Sequence, residues 1–148
     1  MLPLPRVIAP VDFSESSQGA ARYAGRLACH FHSELTLLHV LDPCAEELGD
    51  PASELSQWWQ RRAETRLTNF LPGEFTTMNV RRVMMSGKPA DEIVKFAHSG
   101  GASLIVIPTH GYGRFRRFLL GSVATGILHG AGCPIFTGAH MPDAFPEE

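Results

Sequence analysis

The chain has 148 residues, a formal net charge of −2, 44% hydrophobic residues and three scattered cysteines. These values fit one globular domain over 1–148, with a loose tail at about 141–148, and argue against a general binder of nucleic acids or membrane surfaces. Because no apolar run approaches the roughly 20 residues of a membrane span and no signal-peptide pattern opens the chain, we expect a cytoplasmic protein with reduced thiols.

The first third of the chain predicts a strand, a helix and a second strand. Residues 6–11 form a short apolar run that ends in turn-prone residues, as a buried strand does. The spacing from Asp12 to Glu15 fits a capping box in front of a helix over 16–30. A second strand, apolar on both faces, is predicted over 34–40.

The middle of the chain predicts a polar helix followed by an edge strand. Asp50 and Pro51 are typical of an N-cap and a first helical residue, so we predict a helix from there to about Leu71. A strand over 77–85 alternates apolar and polar residues, which favours an edge position. The predicted apolar positions of the helix are Leu55, Trp58, Trp59, Ala63, Leu67 and Phe70.

The last third continues the alternation of helix and strand. A helix is predicted over 90–98, and the most apolar strand of the chain over 104–107. After a long loop, a short helix over about 122–129 precedes a last strand that begins at Pro134 and ends at Thr137. Five strands with helices between them indicate an α/β fold.

This order of elements predicts a doubly wound, five-stranded parallel sheet with helices on both faces and strand order 3-2-1-4-5. In that order the winding reverses between strands one and four. Ligands of open α/β sheets bind in the crevice at such a point, beyond the carboxyl ends of the strands. The fold alone therefore indicates two loops, 10–14 and 108–122, as a candidate binding site.

The second of these loops has the composition of an anion site. Gly111 and Gly121 allow close approach of the backbone, and Ser122 follows at the predicted start of a helix, where N–H groups are unpaired. His110 also lies there, but it has no base or nucleophile partner that would indicate catalysis. The basic residues of this loop are Arg114, Arg116 and Arg117. They could equally form a solvated loop face.

The sequence resembles the single-domain universal stress proteins, whose nucleotide-binding members carry the motif Gly-x2-Gly-x9-Gly-(Ser/Thr). Here Gly111 and the Gly121–Ser122 pair are separated by nine residues, as that motif requires. Matches in every predicted element are more specific than one short motif. The matching segments are 10–15, 38–42, 87–93, 104–107, 109–111 and 133–135.

The resemblance implies an adenine-nucleotide-binding protein that binds ATP, with or without Mg²⁺, and hydrolyses it weakly or not at all. It also implies a homodimer that pairs the last strands, a role in stress response or regulation, and no dedicated catalytic or metal-ligating residues. Asp12 could instead be a helix cap alone. The implied site residues near the phosphates and ribose are Gly111, Gly121, Ser122, Val123 and Ala124, with His110 and Arg114 beside them. Those at the adenosine end are Pro10, Val11, Asp12 and Val40.

One position departs from the family motif. Pro108 stands where the first motif glycine is expected. Proline has no backbone N–H and its ring fills space, so a lost hydrogen bond to the nucleotide would cost about 1–3 kcal/mol. The alternative function is therefore a nucleotide-free dimeric interaction module whose site Pro108 closes. A third and weaker alternative is an enzyme, such as a small ATPase or phosphotransferase.

Overall fold

A computed structural model describes residues 3–108 and 121–138. In this part of the chain, five strands and four helices alternate. The strands are β1 (Arg6–Pro10), β2 (Glu34–Leu41), β3 (Val80–Ser86), β4 (Leu104–Pro108) and β5 (Ile135–Gly138). The helices are α1 (Glu15–Phe31), α2 (Glu54–Thr68), α3 (Pro89–Gly100) and α4 (Ser122–Gly130).

The strands form one parallel sheet in the order β3-β2-β1-β4-β5. The central strand β1 pairs with β2 on one side and with β4 on the other, so that Val7 lies between Leu35 and Leu104. This arrangement confirms the predicted strand order and the edge position of β3. The winding reverses between β1 and β4, and the carboxyl ends of both strands point to the same edge of the sheet.

The helices bury a different apolar cluster on each face of the sheet. On one face, the small side chains of α1, such as Ala20 and Ala24, pack with Leu35 of β2 and with Leu67 of α2. On the other face, the apolar cluster combines residues of the strands with residues of α3 and α4. That second cluster is Ile8, Leu38, Val40, Ile93, Ala97, Ile105, Ile107, Ala124 and Ile127.

Helix α1 is capped by a different residue from the one predicted. Its N-cap is Ser14, whose hydroxyl accepts a hydrogen bond from the Ser17 N–H, so the predicted capping box from Asp12 to Glu15 is wrong. Asp12 instead accepts from the N–H and the hydroxyl of Ser14. The difference arises at Phe13, whose positive φ of 67° turns the chain between the two polar residues.

Helix α2 is shorter than predicted at both ends. Its N-cap is Ser53, whereas Asp50 accepts from the Ala52 N–H within a preceding turn. The helix ends at Thr68, and Leu71 lies beyond it with a positive φ. The buried residues of the helix are Ser56, Ala63 and Leu67. The predicted apolar positions Leu55 and Trp58 are about half exposed, at 52% and 47%.

The remaining boundaries agree with the predictions to within three residues, the largest difference being the start of β3 at Val80. Predictions for the loop over 109–120 and for the tail over 141–148 lie outside the described residues. Within residues 3–108 and 121–138, no helix is long and apolar enough to cross a bilayer.

Candidate functional site

A cavity of about 320 Å³ lies where the winding of the sheet reverses. Its walls come from the carboxyl ends of β1, β2 and β4 and from the first turns of α1, α3 and α4. The volume lies at the lower end of the roughly 300–1,000 Å³ that is usual for small-molecule sites. The site is therefore in the place that the strand order predicts for a ligand.

Nine of the twelve predicted site residues line this cavity. They are Pro10, Val11, Asp12, Val40, Pro108, Gly121, Ser122, Val123 and Ala124. The other three, His110, Gly111 and Arg114, lie outside the described residues. Residues that are distant in sequence, such as Asp12 and Gly121, thus meet around one space. The cavity is present even though Pro108 forms part of its wall.

One wall of the cavity is a compact network of hydrogen bonds at the start of α1. The Asp12 carboxylate accepts from the Ser14 N–H at 3.0 Å and from the Ser14 hydroxyl. The buried Ser17 hydroxyl donates to the Ser14 carbonyl at 3.0 Å and accepts from the Asp12 N–H at 3.4 Å. Asp12 itself remains exposed at the cavity. Its Oδ1 atom accepts both hydrogen bonds from Ser14, which restricts the orientation of the carboxylate at the cavity.

His39 supports the same wall and was not predicted from the sequence. Its Nδ1 lies 2.8 Å from the Val11 carbonyl oxygen. Since a carbonyl can only accept, Nδ1 carries the proton of the neutral ring and donates to it. Burial lowers the pKa of His39, an effect that the hydrogen bond to Val11 partly opposes. The signal for this residue was available in the sequence, since His39 is the polar residue within the otherwise apolar segment 37–41 at the carboxyl end of β2.

The opposite wall is the N-terminus of α4. Gly121 is its N-cap, with φ −62° and ψ 160°, and it supplies no side-chain cap. The first N–H groups of a helix have no partner within it, and they lie at the positive end of the helix dipole. Ser122 and Val123 are exposed at this end, whereas Ala124 is buried. A helix end of this kind favours an anion through its backbone N–H groups alone.

The φ of Gly121 bears on why a glycine is found there. A φ of −62° is open to every residue, so the backbone conformation does not require glycine. The simplest structural explanation for this glycine would be a loop that needs a positive φ. The observed φ rules that explanation out. Glycine is one of the residues found at helix N-caps, and it also lets another group approach the backbone closely.

Between these two walls the cavity is lined mainly by apolar residues, and most of them were not predicted. They lie at strand ends or in helix turns that face the crevice, which is the pattern that could have identified them. Their apolar character suits a flat, weakly polar group. The lining residues that sequence reasoning missed are Ser17, Leu38, His39, Pro89, Ile93, Ile107 and Ile127.

Over the described ranges, no three His, Cys, Asp or Glu side chains come close enough to hold a metal ion. Asp12 is the one acidic residue among the described lining residues of the cavity. A metal ion in this part of the site would therefore depend on the ligand for most of its oxygen donors.

Comparison with known proteins identifies the family. The model of the universal stress protein family matches residues 4–137, and the chain belongs to this family. The universal stress protein MJ0531 of Methanocaldococcus jannaschii is 32% identical over 136 residues, which cover 88% of this chain and 79% of that protein. The resemblance noted in the sequence is thus confirmed.

Solved structures show the same fold. The structure of the hypothetical protein MJ0577 matches with a TM-score of 0.80 at 25% identity, covering 92% of this chain and 96% of that one. The universal stress protein of Archaeoglobus fulgidus in complex with dAMP matches with a TM-score of 0.64 at 22% identity, covering 93% and 98% of the two chains.

Proposed function

We propose that this universal stress protein binds an adenine nucleotide, ATP with or without Mg²⁺, in the cavity between β1 and β4. The observation that carries the proposal is the N-terminus of α4, which opens on the cavity with a glycine N-cap and no side-chain cap. Phosphate oxygens are the ligands that such a helix end favours. Gly121, Ser122, Val123 and Ala124 would hold the phosphates and ribose in this arrangement.

The other end of the cavity suits the adenosine. Pro10, Val11 and Val40 provide apolar contacts, and the Asp12 carboxylate provides an acceptor for a ribose hydroxyl or a base N–H. The cavity therefore offers an apolar slot and an anion site on opposite sides, as a nucleotide requires. The dAMP complex of the Archaeoglobus fulgidus protein supports the choice of an adenine nucleotide. His110, Gly111 and Arg114 would complete the phosphate end.

In this proposal the nucleotide is a regulatory ligand and its hydrolysis is slow or absent. Among the described lining residues, His39 and Asp12 are the two with acid or base chemistry. His39 Nδ1 donates to Val11, and Asp12 Oδ1 accepts from Ser14. We assign neither of them as a dedicated base, since in this proposal Asp12 binds the adenosine and His39 holds the Val11 carbonyl. Occupancy of the site would then alter the binding of partner proteins in a stress response.

We further infer a homodimer that pairs β5 with its copy. β5 lies at the edge of the sheet, so one side of the strand has backbone groups available for pairing. Phe136 of this strand is 40% exposed, although its ring stacks on Tyr23 at 4.8 Å. Sedimentation equilibrium would test this, since a monomer at all concentrations would contradict it.

The unpaired cysteines Cys29, Cys44 and Cys133 support a location in the reducing cytoplasm.

The test of nucleotide binding has two parts. Protein purified without added nucleotide is gently denatured, and the released material is examined by absorbance and mass spectrometry for adenine nucleotides. Calorimetric titration with ATP–Mg²⁺, AMP and GTP then gives affinity, stoichiometry and base preference. We expect one adenine nucleotide per chain and weaker binding of GTP. No bound nucleotide and no binding up to millimolar ATP would contradict the proposal and favour the interaction module closed by Pro108.

A further inference from the structure

Phe13 has a backbone conformation that its residue type disfavours. Its φ of 67° is in the left-handed region, which glycine adopts freely and a residue with a bulky side chain rarely does. It lies between Asp12, which lines the cavity, and Ser14, which caps α1. Non-glycine residues persist in this region only where the surrounding structure holds them there. The contacts of the side chain show what holds this one.

Three groups from different parts of the chain contact the Phe13 ring. The His39 ring of β2 lies at a centroid distance of 4.4 Å, and the Phe70 ring lies edge-on at 5.9 Å. The Arg66 guanidinium of α2 lies 4.3 Å from the ring centroid, which is a cation–π contact. The ring is half-buried by these neighbours. The contacts oppose the strain of the backbone and favour the left-handed conformation.

These contacts continue to the wall of the cavity. His39 contacts the Phe13 ring and also donates to the Val11 carbonyl at 2.8 Å. In the left-handed conformation of Phe13, the Ser14 N–H donates a hydrogen bond to the Asp12 carboxylate at 3.0 Å. His39 thus contacts both the Phe13 ring and the backbone just before it. Arg66 itself is not among the lining residues of the cavity.

We propose that Phe13 is a positioning residue for the nucleotide site: its ring, packed against Arg66 and His39, keeps the turn over 11–14 in the conformation that presents Asp12 to the ligand. This inference rests on the proposed function, because it assumes that the cavity binds a nucleotide. A turn that is already held in place does not have to be ordered when the ligand binds, and this raises the apparent affinity.

The main variant is Phe13→Gly, which removes the ring and leaves a residue for which the left-handed conformation is unstrained. If the turn then adopts the binding conformation about a tenth of the time, the affinity for ATP falls about tenfold. Phe13→Tyr keeps an aromatic ring and is expected to restore the affinity to within about twofold of the wild type. A role in packing alone would lower the midpoint of urea unfolding and leave the affinity unchanged.

Arg66→Lys tests the other side of the contact, since it keeps the charge and removes the planar guanidinium. We expect about two- to fivefold weaker binding, in line with a weaker cation–π contact. The matched control is Arg62→Lys on the same helix, where the guanidinium lies 5.3 Å from the Trp58 ring instead. The titrations use adenosine as well as ATP. Adenosine has no phosphates, so its affinity does not report any direct effect of residue 66 on the phosphate groups.

Hydrogen exchange of the Ser14 and Ser17 amides reports on the turn without any nucleotide, since these N–H groups donate to Asp12 and to the Ser14 hydroxyl. We expect faster exchange in Phe13→Gly and Arg66→Lys, and no change in Arg62→Lys. Unchanged exchange in Phe13→Gly would overturn the inference. Faster exchange with wild-type affinity would also overturn it, because the turn would then not matter for binding.

The two proposals fail in different ways. If the wild type binds no adenine nucleotide, the proposed function fails, and with it the link between Phe13 and affinity. The exchange rates still decide whether the ring holds the turn. If the wild type binds and Phe13→Gly binds equally well, the proposed function stands and the inference about Phe13 is wrong.

Discussion

The wall of the cavity formed by residues 10–17 and the wall formed by 121–124 differ in how their polar groups are paired. In the first, Asp12, Ser14 and Ser17 hydrogen-bond to one another, and His39 donates to the Val11 carbonyl. In the second, the helix begins at a glycine without a side-chain cap. The first wall is held by the chain's own groups, whereas the second, as far as the described residues show, has no side-chain cap on its first N–H groups.

This difference has consequences for stability. Changes in the first wall remove hydrogen bonds that the folded protein makes to itself, so they are expected to affect the free energy of unfolding as well as the presentation of Asp12 to a ligand. Changes at the N-terminus of α4 are expected to affect the affinity for a ligand and to leave the fold intact. Measuring both stability and nucleotide affinity in variants of each wall therefore tests these two expectations.

The largest effect is expected for Gly121→Asp. Its carboxylate can accept from the N–H groups of Val123 or Ala124, which stabilises the helix and occupies the donors proposed for phosphate. We expect nucleotide affinity to fall more than about fiftyfold, because donors are lost and a like charge is added. The melting temperature should be unchanged or higher. Calorimetric titration and a thermal scan measure the two quantities.

Ser53→Asp is the matched control for this variant. It adds the same charge at the N-cap of α2, where Ser53 already accepts from the Ser56 N–H at 3.1 Å. Ser53 does not line the cavity, so the affinity should stay within about twofold of the wild type. Wild-type affinity in Gly121→Asp would show that the N-terminus of α4 does not bind the nucleotide.

Pro108→Gly restores the residue that the family motif contains and returns a backbone N–H to the cavity. If that N–H donates to the nucleotide, binding should tighten by about 1–3 kcal/mol. The cost is a glycine at the end of β4, where Pro108 pairs with Gly138, and stability should fall by about 0.5–1 kcal/mol. Titration with ATP and urea unfolding measure these changes. Equal or weaker binding would show that the missing donor does not limit affinity.

His39→Leu is expected to act on stability. It leaves the carbonyl of Val11, a residue only 4% exposed, without the donor 2.8 Å away, and an unpaired buried acceptor costs about 1–3 kcal/mol. His39→Asn is the control, because its amide nitrogen can take the place of Nδ1. Urea unfolding of both variants gives the difference. Equal stability of the two would show that the bond contributes little.

The smallest effect is the dependence of stability on pH. Burial lowers the pKa of His39 below its ordinary value of 6.5, and the nearby Arg66 charge acts in the same direction. The bond to Val11 and the charges of Asp12 and Glu46 act against it. Between the two pKa values the unfolded chain binds more protons than the folded protein, so the free energy of unfolding falls as the pH drops below about 6.5.

Comparing His39→Asn with the wild type isolates this contribution, because asparagine keeps the donor and does not titrate. We expect the variant to lose less stability than the wild type when the pH is lowered from about 7.5 to about 5.5. Parallel curves for the two proteins would mean that His39 titrates at the same pH in both states.

The sheet was predictable because its signals are simple and repeated. Apolar runs such as 104–107 mark central strands, polar residues at Arg81 and Arg82 mark an edge, and right-handed crossovers leave few topologies. The start of α1 was not predictable in the same way. Asp12 and Ser14 are both good N-cap residues, and the choice between them depends on Phe13, whose positive φ is favoured by contacts with residues distant in sequence.

In the candidate site, too, some residues could be predicted from the sequence and others could not. The strand order and the family motif together predict the site residues in the loops where the winding reverses, such as Asp12 and Gly121. Leu38 and Ile93 belong to a strand and a helix whose apolar pattern the core alone explains, so the sequence pattern gave no reason to place them at the cavity that they also line.

The close packing of α3 and α4 bears on the entropy of ligand binding. A Cβ on Gly126 would lie 2.6 Å from the Cβ of Ala90, and one on Gly130 would lie 3.1 Å from a methyl of Val94. Gly126 lies in the middle of α4 and Gly130 at its C-terminal end, so these contacts anchor the helix at residues other than the N-cap and without a ligand. A nucleotide would therefore meet a preorganised set of N–H groups, and little of its binding free energy would be spent on immobilising α4.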